Sequence, residues 1–257
     1  MFRRIRIAIL LIILAIVALN TWTDGLFATE WRAPMVVALF PINADGSQVT
    51  EQYIASLTQQ DFASIESFFD SEIKEAGLTL DRPIRITLAP SMKSLPPQRP
   101  NTANALTTIL WSLHLRWWAW REPPSVLGPK PRIRIFIPYY DPKRTEMLDH
   151  STALKKGMIG VAQLFADKRA AGANQVIIAH ELLHTLGATD KYQPDNMPQY
   201  PEGFADPALQ PRYPQHFAEI MGGRIPLTPT KARIPDSLEE VLVGPATAAE
   251  IGWLKKK

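Results

Sequence analysis

The sequence predicts an α+β fold, a mixed sheet with packed helices, in one domain preceded by an N-terminal transmembrane or signal helix. Three observations lead there: an unbroken apolar run behind three arginines, short stretches that alternate apolar with polar residues, and longer stretches with apolar residues at helical spacing. At 257 residues, with 46% hydrophobic and 21% charged residues, the chain can bury one substantial core. No internal repeat divides it, so residues 29–257 read as a single unit.

Arg3, Arg4 and Arg6 precede Ile7 to Leu19, a run without a polar side chain. A positive flank followed by such a core is an export signal. The run is shorter than the roughly 20 residues of a typical membrane span. Ile5 and the stretch Trp22 to Phe27 extend it, however, and Asn20-Thr21-Trp22 offers no small-x-small cleavage site. Residues 1–28 are therefore expected to be an uncleaved signal anchor in preference to a cleaved signal peptide. The domain then lies on the extracytoplasmic side of the cell membrane, or is secreted if the signal is removed.

A first helical region runs from about Thr50 to Ala76, with Tyr53, Ile54, Leu57, Phe62, Ile65, Phe68, Phe69 and Ile73 in register, Asp61 as a point of division and Gly77 as a stop. Pro83 to Leu88 alternates as a half-buried strand does. Asn101 is a candidate cap for a second helix, Thr102 to Arg121, which carries Leu106, Ile109, Leu110 and Leu113. Its cluster Trp117, Trp118 and Trp120 is read as core with a partly wet edge in preference to a carbohydrate or membrane surface. Arg132 to Ile137 is a second alternating strand ended by Pro138, and Gly157 to Phe165 a third.

Composition narrows the function classes. With no cysteine, disulfides, thiolate ligands and a cysteine nucleophile are excluded, so a metal must be held by His, Asp, Glu or Tyr. The formal charge is only +3, and six of the 28 basic residues sit at the two termini, which leaves no obvious basic face for a nucleic-acid partner. The 23 prolines cluster in residues 94–100, 122–131 and 193–214, so long ordered loops are expected.

Residues 174–186 form a helix whose apolar positions nearly encircle it, interrupted by His180, Glu181, His184 and Thr185. His180 and His184 are one turn apart on one face, so two imidazoles can converge on one zinc ion. Glu181 borders that face and can serve as the catalytic base without being a ligand. Burying two imidazoles and a carboxylate without partners costs several kcal/mol, so a buried helix keeps them only if they are paired or metal-bound. A catalytic zinc needs a third protein ligand and an open fourth position. Gly187 can end the helix in the left-handed conformation and turn the chain so that Asp190 approaches the ion.

The pattern His180-Glu-x-x-His184-x-x-Gly187-x-x-Asp190 resembles the extended signature of metzincin-type zinc metallopeptidases, in the variant where Asp replaces the third His. The run His184 to Tyr192 is similar to the corresponding stretch of immune-inhibitor-A-like bacterial secreted peptidases, and Ala218 to Gly223 resembles the Met-turn beneath the metal, with Met221 at its centre. The resemblance covers roughly residues 157–225. It implies a zincin-like domain over residues 29–257 and an edge strand, Gly157 to Phe165, that pairs with an extended peptide substrate.

The other candidate third ligands are Glu219, Glu202, His216, His150 and His114, while Tyr192 is a candidate oxyanion donor or packing residue. The expected activity is that of a membrane-anchored or secreted zinc endopeptidase acting on a peptide or protein substrate. The alternatives are a zinc-binding scaffold protein whose site is closed by Asp195 or Glu219, and a cell-envelope amide hydrolase with the same centre.

Overall fold

The computed structural model describes residue 6 and residues 30–100, 104–126, 128–148, 151–155 and 157–254. The signal or anchor expected over residues 1–28, the candidate cap Asn101 and the candidate ligand His150 lie outside these residues, Arg6 apart. Among the described residues no helix is long and apolar enough to cross a membrane.

The main sheet is built from β1 (Met35–Asn43), β2 (Ile84–Leu88), β3 (Ile133–Tyr140), β4 (Thr152–Leu154), β5 (Ile159–Val161) and β6 (Leu164–Phe165). Its order is β2-β1-β3-β5-β4, with β6 continuing beside β3 past the end of β5. Every pairing is parallel except that of β4 with β5. The helices are α1 (Gln48–Ser56), α2 (Ala63–Glu75), α3 (Ala105–Arg121), α4 (Ala171–Leu186) and α5 (Pro245–Glu250). Short strands β7 (Ala218–Glu219), β8 (Ile225–Thr228), β9 (Lys231–Arg233) and β10 (Val241–Leu242) complete the C-terminal third.

A mixed sheet with packed helices is the expected arrangement, but the helices cover both of its faces. On one face Val37, Leu39, Ile84, Ile133 and Ile135 pack with Ile65, Phe69 and Ile73 of α2 and with Ile178, Ala179 and Leu182 of α4. On the other, Ala38, Phe40, Ile42, Phe136 and Val161 pack with Trp111, Leu115, Trp118 and Ala119 of α3. Strand β1 is thus apolar on both sides. A doubly covered central strand is a continuous apolar run without alternation, which is why period-two reasoning passes over it.

Several boundaries differ from expectation. The first helical region begins at Ser47, whose hydroxyl accepts from the Thr50 amide, and divides at Asp61, whose carboxylate accepts from the Thr58 amide. Gly77 stops α2 at a φ of +84°. The cap of α3 is Asn104, which accepts from the Thr107 amide. Pro138 does not end β3, which continues to Tyr140. Arg134, Phe136 and Tyr140 all bond toward the β5 and β6 side, so Pro138 in the same series faces the break between those strands, where a missing N–H costs nothing. Strand β5 lies inside the sheet, between β3 and β4, so the edge strands are β2 and β4, and of the Gly157 to Phe165 stretch only β6 has a single partner.

Two predictions follow from packing. Phe69 is fully buried against Phe68 and Trp253, so Phe69→Ala should cost about 3–5 kcal/mol in chemical denaturation. Glu72 is pushed up to about 7 by burial and by Glu75 and Glu219, against an opposing hydrogen bond from the Val243 amide. A carboxyl whose pKa is higher folded than unfolded contributes stability below the ordinary glutamate range of about 4.3, lost as pH rises through its folded value. Stability should therefore fall between about pH 4.3 and pH 7 by a component that Glu72→Gln removes, measured as the slope of unfolding free energy against pH.

Candidate metal centre

Helix α4 carries the centre because its sequence suits the inner face of the sheet everywhere except at the site. Val176, Ile178, Ala179, Leu182, Leu183 and Leu186 are buried in the main core. Gly187 ends the helix at a φ of +109°, as expected, and the Gly187 and Ala188 amides both donate to the Leu183 carbonyl. This reversal brings Asp190 back over the last turn. His180 Nε2 lies 3.2 Å and His184 Nε2 3.1 Å from the same oxygen, Asp190 Oδ1.

The other nitrogen of each ring decides what these contacts mean. His180 Nδ1 is 2.9 Å from the Ile220 carbonyl, and His184 Nδ1 is 2.9 Å from the Ala188 carbonyl. A carbonyl can only accept, so each Nδ1 donates and each Nε2 is left facing Asp190. Two imidazole nitrogens and a carboxylate oxygen thus converge on one point, a donor set that could hold a cation. Donors on a tetrahedral ion at about 2.0–2.1 Å are about 3.3–3.4 Å apart, close to the separations found.

Glu181 completes the group. His180, Glu181 and His184 place their donor atoms within 4.8 Å of one another and could hold a metal ion. Glu181 is buried, and its Oε2 has no hydrogen-bond partner. Burial pushes this carboxyl up, while His180 and His184 draw it down by less. Asp190 is moved up by burial, yet hydrogen bonds from both imidazoles hold it well below the usual carboxylate range. Tyr192 stands at the rim with its ring stacked 6.5 Å from His180, and burial together with the nearby Asp190 charge pushes its hydroxyl up to about 12.

The other candidate ligands are engaged or displaced. Glu219 is fully buried, but its oxygens accept from the Gly222 amide at 2.8 Å, the Gly244 amide at 3.2 Å and the Thr247 hydroxyl at 2.6 Å. Asp195 accepts from the Met197 amide in an exposed turn, while Glu202 and His216 are exposed. His114 lies on α3 beside Trp117. Met221 is fully buried and its carbonyl accepts from the Lys191 amide, so the turn after β7 joins both His180 and the Asp190 loop.

Sequence reasoning missed the clamp on that loop. Glu250 at the end of α5 accepts from the Thr189 amide and hydroxyl at 2.9 and 2.7 Å and from the buried Lys191 ammonium at 2.8 Å. Lys191 also donates to the Thr189 carbonyl. Asp190 is thus gripped on both sides by a residue about 60 positions away, and no local pattern announces such a partner.

The chain matches no known protein family and no curated protein sequence. The chemistry of the centre is therefore argued from its own atoms. An ion that binds only the folded state stabilises it by about 2.7 kcal/mol at 100 times its dissociation constant. Divalent transition ions should raise the melting temperature of the wild type, and His180→Ala, His184→Ala and Asp190→Ala should each abolish most of that rise. A rise that survived all three substitutions would place the ion elsewhere.

Proposed function

We propose that the chain is a zinc-dependent endopeptidase, held at the membrane by residues 1–28 with its domain on the extracytoplasmic side. The observation that carries this is the convergence of His180 Nε2, His184 Nε2 and Asp190 Oδ1 beside a buried Glu181 oxygen without a partner. Two imidazoles and one carboxylate suit zinc, and three protein donors leave a position open, as in catalytic and not structural sites. When bound, the ion would supply Lewis-acid polarisation of a carbonyl and a lowered pKa for water.

The remaining work falls to this chain's own groups. His180, His184 and Asp190 hold the ion, with the two Nδ1 hydrogen bonds fixing ring orientation. Glu181, one residue from the ligand His180 and free of other bonds at Oε2, takes the proton of the attacking water and passes it to the leaving amine. Strand β4 offers an edge on which an extended peptide can add as a further strand, and α4 packs against this strand. Tyr192 is placed to donate to the oxygen that gains charge. The turn Ala218 to Gly223 acts as the Met-turn of such a site.

Closure by a fourth protein ligand would require Asp195 or Glu219, and the bonds these residues make elsewhere favour the open, catalytic arrangement over a scaffold. A cell-envelope amide hydrolase would use the same groups and differ only in substrate.

Glu181→Gln should keep its metal content while losing at least about 10²–10⁴-fold in kcat/KM on a peptide library. Chelation should abolish wild-type cleavage and zinc should restore it. An active Glu181→Gln enzyme would remove Glu181 from the base role. Zinc bound in one equivalent without cleavage of any peptide would favour the scaffold, and cleavage of cell-wall fragments alone the envelope hydrolase.

A further inference from the structure

Helix α3 has two apolar sides, separated by Ser112 and Arg116 along one seam and by His114 and Arg121 along the other, and only one side is accounted for. Trp111, Leu115, Trp118 and Ala119 face the second core. Leu106, Ile109, Leu110, Leu113, Trp117 and Trp120, expected from their spacing to be core or its edge, form a stripe on the opposite side, with Leu106 65% and Trp120 77% exposed. At 1.5 Å per residue the stripe is about 21 Å long. A contiguous exposed apolar patch of this kind marks a surface that meets something.

We propose that this stripe lies on an anionic phospholipid bilayer, an inference that rests on the membrane attachment proposed for residues 1–28. Three observations select lipid as the occupant. The first is charge: between Arg82 and Tyr140 the sequence carries Arg82, Arg85, Lys93, Arg99, Arg116, Arg121, Lys130, Arg132 and Arg134 against the single acid Glu122, in a chain of formal net charge +3. Of these, Arg116 and Arg121 stand on α3 itself and Lys130 and Arg132 line a cavity with Trp120, and basic side chains beside an apolar stripe are what an anionic surface attracts.

The second is the order of residues along the stripe. Its N-terminal half is Leu and Ile, and its C-terminal end is Trp117 and Trp120, with the Arg121 guanidinium 5.1 Å over the Trp117 ring. Amphipathic aromatic rings and snorkelling arginines settle at the headgroup level while aliphatic residues sit deeper.

The third is where the chain comes from. Helix α3 crosses from the end of β2 to the start of parallel β3, so its C-terminus reaches the sheet edge at which the parallel strands begin. Arg134 there donates to the Ala119 carbonyl, and Trp120 lines a cavity with Lys130, Arg132 and Met158. Strand β1 begins at the same edge, at Met35 beside Ile84. The chain thus enters β1 at the end of the sheet where the α3 tryptophans lie, although Trp31 packs on the opposite face against Trp253 and the Ile251 carbonyl, and residues 20–34, at about 3.3 Å each, span at most about 50 Å.

Because the chain has no cysteine, Ile109→Cys gives the full-length protein one labelling position on the stripe, and Ser71→Cys gives a reference on exposed α2 across the sheet. Each variant is nitroxide-labelled and reconstituted in phosphatidylcholine vesicles with and without phosphatidylglycerol. In vesicles with phosphatidylglycerol, the accessibility to oxygen relative to an aqueous nickel relaxant should rise severalfold at position 109 over position 71. Without phosphatidylglycerol the rise should shrink, and Leu110→Glu should cancel it while the protein still floats with the vesicles. Protein that floats with a fully wet position 109 overturns the proposal but leaves the anchor intact. A label shielded from both relaxants also overturns it, because residues 7–19 or a second copy would then cover the stripe. Failure to float overturns the anchor and this proposal together.

Discussion

The geometry of the centre depends on two hydrogen bonds that face away from it. His180 Nδ1 to the Ile220 carbonyl and His184 Nδ1 to the Ala188 carbonyl commit both rings to one orientation, and only then do the two Nε2 atoms meet over Asp190 Oδ1. Each carbonyl has its own support. Ala188 is held by the left-handed cap at Gly187, and Ile220 by a turn whose amide at Gly222 is bonded to the fully buried Glu219. Removing a carboxylate from water is costly, and three donors from Gly222, Gly244 and Thr247 offset it. Glu219 thus binds the strand pair β7 and β10, the turn and the start of α5 into one block behind the site.

How much of this is legible in the sequence follows from the range of each interaction. The pair of imidazoles, Glu181, the Gly187 cap and the Asp190 approach lie within eleven residues and could be read directly, because helical spacing and a left-handed glycine are local rules. Gly77 and the division at Asp61 were readable for the same reason. Strand β1 was not, since its burial on both faces erases alternation. The edge position of β4 was not, because three residues in a proline-poor loop carry no distinctive pattern and edge status is a property of the whole sheet. Glu250, Lys191 and Glu219 act across tens of residues, and a single sequence gives no sign of such pairs. The apolar spacing in α3 was read as helical and its tryptophans as core with a wet edge, which Trp118 inside and Trp117 and Trp120 outside bear out, but periodicity reports that a face is apolar and not what covers it.

The sheet separates two tasks. On one face α2 and α4 pack into the larger core, so His180 and His184 stand on a rigid element. On the other α3 closes a smaller core and presents the outward stripe. Both α3 and α4 run back toward the edge where the parallel strands begin, and Lys155, next to β4, reaches the glycine that ends α4 at that edge. The centre and the tryptophan end of α3 therefore share one end of the molecule while lying on opposite layers.

The Glu250 clamp gives the centre a history as well as a shape. During synthesis His180, Glu181, His184 and Asp190 leave the ribosome long before Glu250, so the loop bearing Asp190 has neither of its anchors while the helix is already available. The centre therefore matures late, after α5 docks, and the growing chain carries His180, His184 and Asp190 in an unassembled form until then.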